Sequence, residues 1–260
     1  MNTPEKPSDI AAREAEIRST VDEIYRQQNF SLVGRSEGLN MAVSPEEARL
    51  LQKIVEQFGC RNTIETGMGT GLSAVHMMLG ITKNGGGTHS AIDPYQKGVL
   101  WNGLGLHVIE HFGFKDMFTW VCDKSDIALP AMVAQGKRVD LAFIDGNHRF
   151  EGALVDFYYI DQMLDVNGIV VFDDSDWPSV RRAVNFAMRH RDYEFIDGSK
   201  VNLGPLTRPW GWQMRRARKA RYRKLLWPAS EANHPVPYET MVLRKTKEDE
   251  RPWTFWNTLD

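Results

Sequence analysis

An α/β fold is what this sequence predicts, with a doubly wound, mostly parallel sheet of seven strands covered by helices on both faces. Three observations carry that prediction. Short apolar runs bounded by turn residues alternate with stretches of helical periodicity through most of the chain. A glycine-rich turn follows the first of these runs and opens a helix. Acidic residues close the later runs, at the strand ends where open parallel sheets bind ligands.

Taken in order, residues 1–8 form a polar, proline-containing tail. Residues 9–28 place Ile17, Val21, Ile24 and Tyr25 at helical spacing, and 29–43 are irregular. Together 1–43 make an N-terminal tail and helical extension. At Ser44 a capping box begins, Ser44-Pro45-Glu46-Glu47, with proline at the first helical position. Leu50, Leu51, Ile54, Val55 and Phe58 then share a face, and Gly59 can close the helix. The spacing predicts strands at Thr63–Thr66, Thr88–Ile92, Phe118–Val121, Val139–Ile144 and Ile169–Phe172. Helices are predicted at Leu72–Leu79, Val99–Phe112, Ile127–Ala134, Glu151–Leu164 and Ser179–His190. Such alternation implies right-handed crossovers between parallel strands. Tyr193–Ile196 and Thr240–Arg244 supply a last strand pair around an insertion at about 198–239. Residues 44–260 thus read as one domain with an inserted segment.

The chain has 260 residues, and 42% of them are hydrophobic, enough for a sizeable core. Lys and Arg number 32 against 34 Asp and Glu, a balance that argues against a nucleic-acid partner. Cys60 and Cys122 are too few for a disulfide framework and fit a reducing compartment. No stretch approaches the ~20 apolar residues of a membrane span, and the N-terminus lacks the apolar run of a secretory signal. A cytoplasmic protein is expected.

The turn reads Glu65-Thr66-Gly67-Met68-Gly69-Thr70-Gly71. Glycines there allow a sharp bend and close approach of a ligand to the backbone. A dinucleotide-binding turn would carry its third glycine at position 72, which is Leu72. Asp93 ends the next strand, 22 residues beyond Gly71, where an acid can accept hydrogen bonds from both hydroxyls of a ribose. The run Ile64–Gly71 resembles the first motif of class I S-adenosylmethionine-dependent methyltransferases, and Ala91-Ile92-Asp93-Pro94 resembles their second. The likeness extends in order over roughly 44–190 and implies a Rossmann-like fold. It implies that Glu65, Gly67, Met68, Gly69 and Gly71 hold the methionyl part of S-adenosylmethionine, with Ser73 near its carboxylate. It also implies that Asp93 binds the ribose, and that Asp123 and Ser125 lie where the family contacts adenine.

Asp145-Gly146-Asn147-His148 ends the fourth predicted strand, and Asp173-Asp174 ends the fifth. Asp145, Asp173 and Asp174 would converge as hard oxygen ligands suited to Mg²⁺ or a similar ion. The pattern resembles metal-dependent O-methyltransferases, the sugar and macrolide type more than the catechol type. Catechol-type members carry lysine where His148 stands, and an acid–asparagine pair where Asp173-Asp174 stands. The sugar-type resemblance implies His148 as general base, with Asp145 beside it in the catalytic set. A bound ion would lower the pKa of an acceptor hydroxyl, and an imidazole can take its proton near neutral pH. Asp176 is expected to cap the following helix. Asp156 and Asp161, inside a predicted helix, are expected to be solvated or paired surface charges.

The insertion carries seven basic residues within 215–224, followed by Leu225, Leu226 and Trp227. A solvated helix face is one reading. A patch for an anionic or glycosylated acceptor, or contact with a membrane surface through 215–227, are others. Trp210 and Trp212 could cover an acceptor or form a small core, and Trp253, Phe255 and Trp256 suggest an interface, so a homo-oligomer is expected. The reading that gathers most of this is an S-adenosylmethionine-dependent O-methyltransferase acting on a small-molecule hydroxyl of a sugar, glycoside or other natural product, with a divalent ion. A nicotinamide-dependent oxidoreductase on a similar fold, a non-catalytic cofactor-binding protein and a metal-dependent hydrolase are its rivals.

Overall fold

A computed structural model describes residues 7–196, 240–252 and 254. The insertion with its basic run and tryptophans, and Trp253, Phe255 and Trp256, lie outside the described residues. Five parallel strands form the body of the sheet: β1 (Asn62–Thr66), β2 (Thr88–Ile92), β3 (Phe118–Val121), β4 (Val139–Ile144) and β5 (Leu164–Phe172). Two antiparallel strands, β6 (Tyr193–Phe195) and β7 (Met241–Lys245), complete it in the order β3-β2-β1-β4-β5-β7-β6. The order reverses between β1 and β4, which opens a crevice at their carboxyl ends.

Strand alternation divides the core between the two faces. Leu141, Phe143, Ile169 and Val171 face a layer of α1 (Pro7–Gln27), α2 (Pro45–Phe58), α3 (Leu72–Lys83) and α4 (Leu104–His111). Ala142, Ile144, Val170 and Phe172 face α5 (Ser125–Ala134), α6 (Phe150–Met163) and α7 (Pro178–His190). The N-terminal extension packs into the first layer through Ile17, Val21 and Ile24, each buried. A polar knot helps seat it: Gln52 Nε2 donates to Glu14 Oε1 at 2.9 Å, and Lys83 pairs with Glu14. Ser44 caps α2 as expected, its hydroxyl accepting from Glu47 N.

Three boundaries differ from the sequence expectation. Helix α4 begins at Leu104 rather than Val99, because Asn102 and Gly103 take left-handed backbone angles. Gln96 then ties residues 94–103 to the glycine turn, donating to Gly69 O at 2.7 Å and accepting from Gly105 N at 3.1 Å. Strand β5 starts at Leu164, five residues early, with Asn167 at positive φ and a register irregularity opposite β4. The first residue of α7 follows Trp177, whose side chain makes no capping bond, so Asp176 is not the cap.

The pairing of β7 has a positional result. Met241 sits beside Phe172, and Ile196 N bonds to Val242 O. The end of β6 and the start of β7 therefore both lie at the carboxyl edge of the sheet, with Met241 beside the end of β5. Among the described residues, no helix is long and apolar enough to cross a membrane.

Candidate active site

The glycine turn joins β1 to α3 with Gly67, Gly69 and Gly71 all at positive φ. A methyl group on Gly67 would stand 2.2 Å from the carbonyl oxygen of Asp145, so the ends of β1 and β4 touch backbone to backbone. Asp93 locks the turn from β2. Its Oδ2 accepts from Met68 N at 3.2 Å and Gly69 N at 3.0 Å, and its Oδ1 accepts from Tyr95 N at 2.7 Å. Glu65 is fully buried beneath the turn. Ser73 donates to its Oε2 at 2.7 Å, and His89 Nε2 lies 3.3 Å from its Oε1. Glu65 is thus held beneath the turn between Ser73 and His89. Asp123 and Ser125 are half-buried across the edge of the crevice, with Asp123 Oδ1 accepting from Lys124 N.

At the ends of β4 and β5, Asp145, His148 and Asp173 each bring one ligand atom within 4.8 Å of the others. Asp174 stands apart from that trio. Its Oδ2 lies 3.3 Å from His148 Nδ1, while His148 Nε2 faces Asp145 Oδ1 at 3.2 Å. Of the three predicted metal-ligating aspartates, two therefore converge, and the third holds the imidazole. Asp174 has a left-handed backbone, φ 46°, which turns its carboxylate back towards the ring. Loss of solvation, then the charge of Asp173, push the Asp145 carboxyl well above its ordinary range. Burial lowers the His148 pKa, and Asp173 opposes that shift.

Trp177 meets the His148 ring edge-on at 5.4 Å. Together with Asn147, Arg149, Phe150, Glu151 and Ser179 they line an open groove of about 550 Å³. Trp177 and Phe150 present exposed aromatic surface to it.

Two acids do not sit where expected. Asp156 is 1% exposed, and its burial pushes the carboxyl up to about 6, with Ser125 and Thr66 as polar neighbours pulling the other way. Neither of its oxygens, nor Thr66 Oγ1, completes a hydrogen bond. Asp161 is also buried but paired: Tyr193 donates to it at 2.7 Å, and Lys245 and Arg191 flank it. Both lie on the stripe Ala153, Asp156, Phe157, Ile160, Asp161, a spacing of three and four that marks the inward face of α6.

Residues 64–175 match the family model of a methyltransferase domain. No curated protein sequence matches the chain significantly. Among solved structures, an O-methyltransferase from Bacillus cereus in complex with SAH superposes with TM-score 0.56 at 17% identity, covering 70% of this chain and 86% of that one. Cofactor-bound Rv0187 from MTB gives TM-score 0.53 at 15% identity, covering 75% and 90%. The O-methyltransferase TomG from Streptomyces achromogenes, in complex with SAM, gives 0.50 at 18%, covering 62% and 78%. The fold is that of the class I S-adenosylmethionine-dependent methyltransferases, and residues 64–175 are the part that matches the methyltransferase-domain model.

Proposed function

We propose that this protein transfers a methyl group from S-adenosylmethionine to a hydroxyl of a small sugar-like or glycosylated acceptor, with a divalent ion at Asp145, Asp173 and His148. The carrying observation is the convergence of those three residues beside a groove walled by aromatic surface, next to the glycine turn. The structural neighbours named as O-methyltransferases, with SAH or SAM bound, support the reading.

The residues fit the cofactor. The turn offers backbone without side chains, and Asp93 Oδ1 accepts from Tyr95 N with lone-pair capacity left over. They also fit a hard divalent cation: two carboxylates and an imidazole converge, and besides its burial Asp145 feels the charge of Asp173, a repulsion that a cation would relieve. Such an ion, when bound, would acidify the acceptor hydroxyl. The protein's own part is to hold Asp145 and Asp173 on rigid strand ends and to orient His148 through Asp174. Trp177 and Phe150 confine the acceptor, and holding the two reactants together supplies much of the acceleration.

His148 has two roles open to it. As base, it takes the hydroxyl proton at Nε2 while Nδ1–H donates to Asp174. As ligand, Nε2 joins the two aspartates and Asp174 orients the ring from behind, a common arrangement for metal-binding histidines. The proximity of Nε2 to Asp145 favours the second as strongly as chemistry favours the first. One experiment tests the function and separates the roles: methyl transfer to a panel of glycosides and phenols with and without EDTA, and Mg²⁺-induced thermal shifts, for wild type and His148→Ala. Full activity in EDTA overturns the metal role. A variant that keeps its Mg²⁺ shift but loses turnover assigns the base, and one that loses both assigns the ligand. Wild-type turnover in the variant removes His148 from either role.

A further inference from the structure

We propose that His89 is a positioning residue for the aminoacyl end of the cofactor, acting through Glu65 and Ser73; this rests on the S-adenosylmethionine reading above. His89 lies on β2, with its ring fully buried and a face stacked on Phe118 at 5.9 Å between centroids. Register places it beside Thr63, with Glu65 two residues further along β1 on the same face. Thr63 Oγ1 is 2.7 Å from His89 Nδ1, His89 Nε2 is 3.3 Å from Glu65 Oε1, and Ser73 Oγ is 2.7 Å from Glu65 Oε2.

A carboxylate accepts, so the bond between His89 and Glu65 is made by Nε2–H. On the far side of the ring Nδ1 bonds to the Thr63 hydroxyl. Ser73 likewise donates to Glu65. The relay therefore runs Thr63 to His89 to Glu65, with Ser73 converging from α3. A hydroxyl committed in this way has only lone pairs left to offer. Ser73, buried in the first turn of α3, is thus set to offer lone pairs to an ammonium rather than a proton to a carboxylate.

The strand face around the relay is otherwise filled by Ala91, Leu141 and Phe143, all buried. An apolar pair at 63 and 89 would fill that space but leave the buried Glu65 Oε1 without the partner that His89 Nε2 supplies. The polar pair that stands there instead ends at the first acid of the cofactor turn.

Calorimetry with two ligands tests the role. S-adenosylhomocysteine carries the aminoacyl end, and 5′-methylthioadenosine lacks it. His89→Leu should weaken S-adenosylhomocysteine about tenfold, the scale of one lost charge-assisted hydrogen bond, and leave methylthioadenosine within about twofold. His89→Gln, whose side-chain amide can donate to Glu65, should recover most of the loss. Thr63→Val should shift the same ratio in the same sense by less, and it serves where His89→Leu fails to fold. Equal loss for both ligands marks a merely structural histidine and overturns the proposal, as does no loss for either. A wild-type protein that binds neither ligand instead overturns the cofactor reading on which the proposal rests.

Discussion

Replacing Gly67 with alanine should damage the protein far more than replacing Gly59, although both glycines sit at positive φ. Gly59 closes α2 at φ 67°, and an added methyl there meets nothing within 4 Å. Gly59→Ala therefore carries only the left-handed penalty of an L-residue, roughly 1–2 kcal/mol. Gly67 has φ 81°, and its methyl would stand 2.2 Å from Asp145 O, 2.8 Å from Asp145 C and 3.0 Å from Gly146 Cα. All three are backbone atoms, so no side chain can swing aside. The ends of β1 and β4 must separate, which stretches the bond from Asp145 N to Thr66 O, now 3.0 Å, worth about 1 kcal/mol by itself. With lost packing around the shifted strand end, the total is about 3–5 kcal/mol. Urea denaturation of the two variants and wild type reads this directly from the midpoints at constant slope. Because Asp145 moves with the strand end, the proposed ion site predicts that Gly67→Ala loses a thermal response to Mg²⁺ that Gly59→Ala keeps. If the two variants lie within about 0.5 kcal/mol of each other, the contact between the turn and Asp145 is not the constraint described.

Two further outcomes follow from buried charges. The Asp156 carboxyl ionises near 6 in the folded chain and near its ordinary value of 3.8 when unfolded. Between those values the folded state keeps a proton that the unfolded state has lost, so stability falls as pH rises from about 4 to 6 and levels beyond, by about 3 kcal/mol in all. Asp156→Asn should lack that fall, and parallel urea midpoints for the two proteins from pH 4 to pH 7 would refute it. Lys245 is buried and donates to Asp161 O at 2.8 Å and Leu164 O at 2.9 Å, besides its pairing with the Asp161 carboxylate. Lys245→Met strands those acceptors and should cost about 3 kcal/mol by the same denaturation assay, whereas a loss under 1 kcal/mol would show that Arg191 and Tyr193 suffice for Asp161.

What could be read ahead of the structure was whatever depends on short-range pattern. The glycines at 67, 69 and 71, the acid at 93 and the acids closing β4 and β5 are local signals, and topology brings them together at one edge. Helix α6 shows the limit. Apolar and polar residues mix around it, and Asp156 reads as a surface charge because acids usually are. Its place between Ala153, Phe157 and Ile160 marked it as inward. The relay from Thr63 to His89 was illegible for a different reason: it depends on parallel register between strands 26 residues apart, which no window along the chain contains. The division of labour between Asp173 and Asp174 rests on one left-handed residue, and adjacent aspartates give no warning of it.

Forty-five residues separate the end of β6 from the start of β7, both at the carboxyl edge of the sheet. Closing a loop of that size is entropically cheap to vary, since doubling its length costs only about 0.6 kcal/mol. Register between β5, β6 and β7 is held by the strands themselves. Relatives could therefore differ in the length of that connection without disturbing the sheet, so that descent would preserve the strand register while the connecting sequence diverges.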